Sequence, residues 1–144
     1  GLRGRAYLFP GRSGAGKSTI SRLLQARGAA EMLSDDRIIV RRTSNEVSAF
    51  GTPWPGDAGR ARNKRLQAAG IVFIRHEKEN RLEEISASEA IRLLMPVTSI
   101  PWYDEGPLTD ILTFCDDLVR AIPAYRFSFR PDESAAEYLE KSLR

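Results

Sequence analysis

Apolar positions along the chain follow two periods. Residues 5–9 (Arg5-Ala6-Tyr7-Leu8-Phe9) form a short β-prone run. Pro10 ends it, since proline donates no ladder hydrogen bond. Over residues 19–27, Ile20, Leu23 and Leu24 recur on one helical face, and Gly28 follows as a helix stop. Met32-Leu33 predicts a short second strand ending at Ser34. Residues 37–42 alternate weakly and give way to the turn Thr43-Ser44-Asn45, after which 46–50 returns as an antiparallel partner. Pro53, Pro55, Gly56 and Gly59 make 51–59 a loop.

The apolar run 69–74 predicts a buried central strand with His76 at its end, and 80–85 the second strand of a hairpin. Ser86 and Glu89 form a capping box for a helix reaching about Met95. Leu108, Ile111, Leu112, Cys115, Leu118, Val119 and Ile122 lie at helical spacing, with Pro123 as terminator. Residues 125–129 alternate as a strand, and Asp132 caps a last helix to Leu143. Strands and helices interleave, with a hairpin among them. This predicts a single α/β domain over 1–144 with a mixed sheet.

Composition narrows the classes. Of 144 residues, 42% are apolar and 28% charged, as in an ordinary globular domain rather than a disordered or fibrous chain. No uncharged apolar run approaches the roughly 18 residues of a membrane span, and residues 1–12 are basic without an apolar leader core. A cytoplasmic protein without a membrane partner is the expectation. The single cysteine, Cys115, excludes an internal disulfide and reads as core. Charge is uneven. Residues 1–65 carry 13 Lys and Arg against 5 Asp and Glu, and residues 66–144 carry 9 against 14. A basic half suits nucleic acid or a phosphorylated ligand. Nucleic acid is set aside for want of aromatic–basic interleaving, a zinc pattern or a helix-turn-helix.

A phosphate ligand has direct support. Gly11-Arg12-Ser13-Gly14-Ala15-Gly16-Lys17-Ser18-Thr19 matches G-x-x-x-x-G-K-[ST] in full, between a strand and a helix. Glycines let the backbone close on phosphates with N–H groups inward, and the helix N-terminus adds positive potential. Gly11, Ser13, Gly14, Ala15, Gly16, Lys17, Ser18 and Thr19 are the candidate nucleotide-binding residues. Lys17 would reach the β- and γ-phosphates, and the Ser18 hydroxyl would ligate Mg²⁺.

Asp35 and Asp36 follow some 18 residues after Lys17, at the expected end of the second strand, where open α/β sheets bind ligands. One carboxylate can hold Mg²⁺; the other can take the proton of an attacking hydroxyl and align it with the γ-phosphorus. Arg60, Arg62, Lys64 and Arg65 form a basic cluster whose plain reading is a solvated face. Arg60 and Arg62 are the candidates there for stabilising a transferring phosphoryl group. Trp54 reads as a hydrophobic plug ahead of a ligand wall. His76, the sole histidine, reads as a strand-end surface residue rather than a catalyst.

The stretch from Gly11 to Ser18, the step Leu33-Ser34-Asp35-Asp36 and the following Arg37-Ile38-Ile39-Val40 resemble the HPr kinase/phosphorylase family, which shares a fold with phosphoenolpyruvate carboxykinase. Phe50-Gly51-Thr52-Pro53-Trp54 with Gly56, and Ile122-Pro123-Ala124-Tyr125 through Arg130-Pro131-Asp132, are similar to the compact HPr-kinase-like subgroup. The resemblance covers nearly the whole chain; its specific part is the loop and the aspartate pair. It implies ATP-dependent phosphorylation of a hydroxyl, on a protein or peptide serine or a small metabolite, with Asp35 as base and Asp36 on Mg²⁺. It also implies a homo-oligomer as one option. The family's histidine, just before the strand that enters the loop, has no counterpart from Gly1 onward. Two other readings stand beside it: a small-molecule kinase of the nucleoside-monophosphate-kinase type, which predicts an all-parallel sheet, and a nucleotide-binding regulatory module without catalysis.

Overall fold

The computed structural model describes residues 1–28, 30–54, 62–100 and 105–143. They form a mixed sheet between two helical layers. In chain order the elements are β1 (Ala6–Leu8), α1 (Lys17–Ala26), β2 (Ile38–Arg42), β3 (Val47–Gly51), β4 (Arg65–His76), β5 (Arg81–Ile85), α2 (Ala87–Leu94), α3 (Glu105–Ala121), β6 (Ala124–Phe129) and α4 (Glu133–Ser142). A single 3-10 turn, Met95–Val97, extends α2. Among the described residues no helix is long and apolar enough to cross a membrane.

The strand order is β2-β3-β4-β6-β5, with β1 also paired to β4. β1 and β6 run parallel to β4, while β2–β3, β3–β4 and β6–β5 are antiparallel. The sheet is therefore mixed, as the hairpin at 37–50 predicts. Ile71 faces Leu8 on one edge of β4 and Ala124 on the other. β4 is long because its successive parts serve three partners: β3 near its start, then β1, then β6. Ala6 pairs Ala68 but Tyr7 pairs Gly70, so β4 carries an extra residue there. That bulge puts Ala68 on the same face as Ile71 and Phe73, an odd step that strict alternation forbids.

Each face of the sheet buries its own layer. Ala6, Leu8, Ile71 and Phe73 pack with Ala90 and Leu94 of α2 and Cys115, Leu118 and Val119 of α3. Val72, Phe127 and Phe129 pack with Ile20 and Leu24 of α1 and Ala135, Ala136 and Leu139 of α4. The caps predicted from sequence form. The Ser86 side chain accepts from the Glu89 N–H, and that of Asp132 from the Ser134 N–H. Gly28 takes φ +66°, and its N–H donates to the Gln25 carbonyl at 2.9 Å, which closes α1.

Two expectations are corrected. Met32-Leu33 is not a strand; within residues 31–37 Ser34 alone makes an isolated β-bridge, and the rest cross as irregular backbone. The Leu33 carbonyl accepts from the Arg62 N–H at 2.9 Å, so this carbonyl is satisfied without a strand at Met32-Leu33. The strand at 80–85 exists, but it does not pair with the run at 69–74. β6 lies between them, parallel to β4 and antiparallel to β5. Inserting β6 places fully buried Phe127 and Phe129 in the middle of the sheet, a burial that a β4–β5 hairpin would forgo.

Candidate functional site

The glycine loop leaves β1 and enters α1 at Lys17, at the end of the sheet where β4 and β6 also finish. Gly14 and Gly16 adopt φ +82° and +99°, a region where side-chain-bearing residues are strained. At Gly16 space is also closed. A Cβ there would overlap Nε2 of His76, the last residue of β4, and come within 3.0 Å of Cζ of Phe129, the last residue of β6. His76 stands edge-on to Phe129, with ring centroids 4.8 Å apart. The strand-end histidine is thus an exposed prop beneath the loop, a role its position in the sequence does not announce.

Gly16 is the N-cap of α1 and brings no side chain to cap it. The first N–H groups of a helix have no intrahelical acceptor, so this end presents donors and the positive pole of the helix dipole. The Lys17 ammonium arches back over the loop, donating to the carbonyls of Gly11 and Arg12, both at 2.8 Å. Arg12, Ser13 and Ser18 are exposed; Ala15, Gly16 and Thr19 are half-buried.

A cavity of about 640 Å³ opens beside the loop. Gly11, Lys17 and Ser18 line it together with Asp35 and Asp36, so the structure brings the two sequence motifs to one site. The carboxylates arrive on the irregular segment before β2 rather than at a strand end, and that segment is pinned on both sides. The Arg62 N–H holds the Leu33 carbonyl, and the buried Thr52 hydroxyl donates to the Arg37 carbonyl at 2.7 Å. The segments crowd where they cross: a Cβ at Gly51 would overlap the Arg62 carbonyl oxygen and lie 2.8 Å from that of Leu33. Asp35 is half-buried. Asp36 is exposed, its N–H donating to the Ser34 hydroxyl and its carboxylate 3.9 Å from Arg37.

The other candidates are placed differently. Arg62 is not on the cavity wall. Its guanidinium lies 2.9 Å from Glu31, which Lys64 also meets at 2.6 Å, and Arg65 pairs with Glu46. These two cations hold the Glu31 carboxyl below the usual range, with the hydrogen bond from Lys64 as the larger cause. Arg60 lies outside the described residues. Trp54 is no plug. It is 60% exposed and stands at the cavity rim. Cys115 is buried, and burial pushes its thiol up, as a core cysteine requires.

The donor set suits a magnesium nucleotide. Ser18 and Asp36 supply one hydroxyl and one carboxylate, both hard oxygen donors, and Mg²⁺ commonly takes one or two protein oxygens with the rest from phosphates and water. Among the described residues no three His, Cys, Asp or Glu side chains gather as an all-protein metal cage. Sequence patterning gives no site role to Thr52, Gly51 or His76. Each owes its place to chain crossings distant in sequence. No protein-family model, curated protein or solved structure matches the chain.

Proposed function

We propose that this chain is an ATP-dependent phosphotransferase that moves the γ-phosphoryl group to a hydroxyl, in the manner of HPr kinases and on a fold of the HPr kinase/phosphoenolpyruvate carboxykinase type. The observation that carries the reading is one cavity lined by Lys17, Ser18, Asp35 and Asp36.

Each residue has a task. The loop N–H groups and Lys17 would cradle the phosphates, the ammonium exchanging its two carbonyl acceptors for phosphate oxygens. Ser18 and Asp36 would hold Mg²⁺, which when bound neutralises charge on the β- and γ-oxygens. Asp35 would accept the acceptor's hydroxyl proton and fix its oxygen in line with the γ-phosphorus. Arg60 remains a candidate for the transferring group. Arg62 would have to leave Glu31 to serve there.

The antiparallel β2–β3 pair favours this reading over a kinase of the nucleoside-monophosphate type, for which an all-parallel sheet is expected. A regulatory nucleotide-binding module would not need Asp35. Calorimetric titration of Mg–ATP into wild type and Lys17→Ala tests the site. Loss of charge-assisted hydrogen bonds worth about 1.5–3 kcal/mol should weaken binding roughly 10- to 100-fold. Asp35→Asn should bind Mg–ATP like wild type while turnover falls about 10²- to 10⁴-fold. Unchanged turnover in Asp35→Asn would exclude the aspartate as base.

A further inference from the structure

The same cavity has a second wall. Besides the charged groups it is lined by Leu94 and Val97 and by Ile111, Phe114 and Leu118 of α3. No charged side chain of α2 or α3 is among its described lining residues. The mouth is apolar as well. Ile38 and Trp54 are 37% and 60% exposed, and they account for two of the five large exposed apolar side chains among the described residues. Leaving such side chains open to water at a cavity rim is the pattern of a ligand site rather than of an ordinary surface.

The apolar mouth also adjoins the carboxylates along the chain. Ile38 is three residues after Asp35, a separation of at most about 10 Å even when fully extended. Whatever rests on Ile38 is therefore close to the proposed base rather than far along the nucleotide. The body of the acceptor meets that condition.

Resting on the phosphotransferase reading, we infer that the acceptor is a small alcohol whose hydroxyl is carried on an apolar skeleton. Its skeleton lies against Ile38 and the α3 wall, and its hydroxyl reaches Asp35. The volume, about 640 Å³, is in the range of small-molecule sites. In the transfer, the alcohol oxygen bonds to the γ-phosphorus while Asp35 takes the hydroxyl proton. The bond from the γ-phosphorus to the bridging oxygen breaks, and ADP leaves with its electron pair.

The test uses the full chain and straight-chain alcohols from butan-1-ol to octan-1-ol, with a serine peptide beside them. Binding is read by calorimetry with Mg–ADP present, and transfer with Mg–ATP. Each added methylene should tighten binding about fourfold. Ile38→Ser, at a partly exposed position at the start of β2, should weaken octan-1-ol severalfold and leave Mg–ATP affinity within twofold, whereas Ile39→Ser, on the other face of the strand, should change neither. Ile111→Trp, which fills the wall, should exclude the longest alcohols first. Binding without chain-length dependence, transfer to the peptide alone, or alcohols that compete with Mg–ADP would each overturn the assignment; the last would give the wall to the nucleotide base. Wild type that binds Mg–ATP but no alcohol sinks the acceptor assignment only. Wild type that fails to bind Mg–ATP sinks the phosphotransferase reading and the acceptor assignment with it.

Discussion

The buried Thr52 hydroxyl donates to the Arg37 carbonyl at 2.7 Å, which ties the end of β3 to the backbone just past Asp35-Asp36. Thr52→Val keeps the shape and removes the donor, leaving the carbonyl unpaired. Losing a hydrogen bond at this part-buried carbonyl costs about 0.5–1.5 kcal/mol. The expected result is a stability loss of that size by urea unfolding. Because the aspartate step loses an anchor, kcat should fall by a larger factor than Mg–ATP affinity. Thr52→Ser, which restores a hydroxyl, should recover most of both. A loss in Thr52→Ser with Thr52→Val unchanged would show that the methyl group, not the hydrogen bond, is what matters.

At Gly16 two penalties coincide and can be separated. Alanine at φ +99° costs about 1–2 kcal/mol for the backbone alone, and its Cβ overlaps the His76 imidazole. Gly16→Ala should therefore lose both stability and nucleotide affinity. Adding His76→Ala removes the overlap but not the strain, so the double variant should melt above Gly16→Ala and still below wild type. A double variant no better than Gly16→Ala would mean that His76 does not press on the loop.

These positions mark what sequence could reveal. The loop from Gly11 to Thr19, the Ser86–Glu89 box and the Asp132 cap are local chemistry, in which neighbours a few residues apart satisfy one another. They were legible, as was the β2–β3 hairpin with its short turn. The partner of β5 was not. Its pairing with β6 depends on Phe127 and Phe129, some 40 residues downstream, which find their burial between β4 and α4. Gly51 looked like one loop glycine among several. Its need arises only where the Leu33 and Arg62 backbones cross it. The Asp35-Asp36 pair was found by its spacing from Lys17, although the strand expected to carry it does not form.

Glu31 sets an acid-side limit on stability. Hydrogen bonds from Lys64 and Arg62 keep its carboxyl below the ordinary value in the folded chain. A depressed folded value means the stabilisation is fully present above the unfolded value, roughly 4.3, and is lost as pH falls through the folded one. Glu31→Gln removes this contribution. Its stability profile should lie below that of wild type at pH 7 and converge on it only in acid, once pH has fallen through the depressed folded value. Parallel profiles down to acid would show that the pairs with Lys64 and Arg62 are not kept in solution. The pairs are exposed and screened, so added salt should narrow the gap at neutral pH.

The last contrast concerns two stacked rings. Phe127 is fully buried at the centre of the α1–α4 face. Phe129 lies parallel to it with centroids 5.5 Å apart, and Tyr138 of α4 with centroids 6.1 Å apart. Phe127→Ala leaves a cavity between sheet and helix that neighbouring strands cannot close, since β6 is held on both edges by β4 and β5. The expected loss is about 3–5 kcal/mol. Tyr138 is 37% exposed, so Tyr138→Ala gives up only part of a ring contact and should cost no more than about 1 kcal/mol. Urea unfolding of the two variants reads the difference. Because β6 also ends at the His76–Phe129 prop under Gly16, Phe127→Ala should weaken Mg–ATP binding as well, whereas Tyr138→Ala should not. Similar stability losses in the two variants would mean that α4 rather than the inserted strand anchors this face.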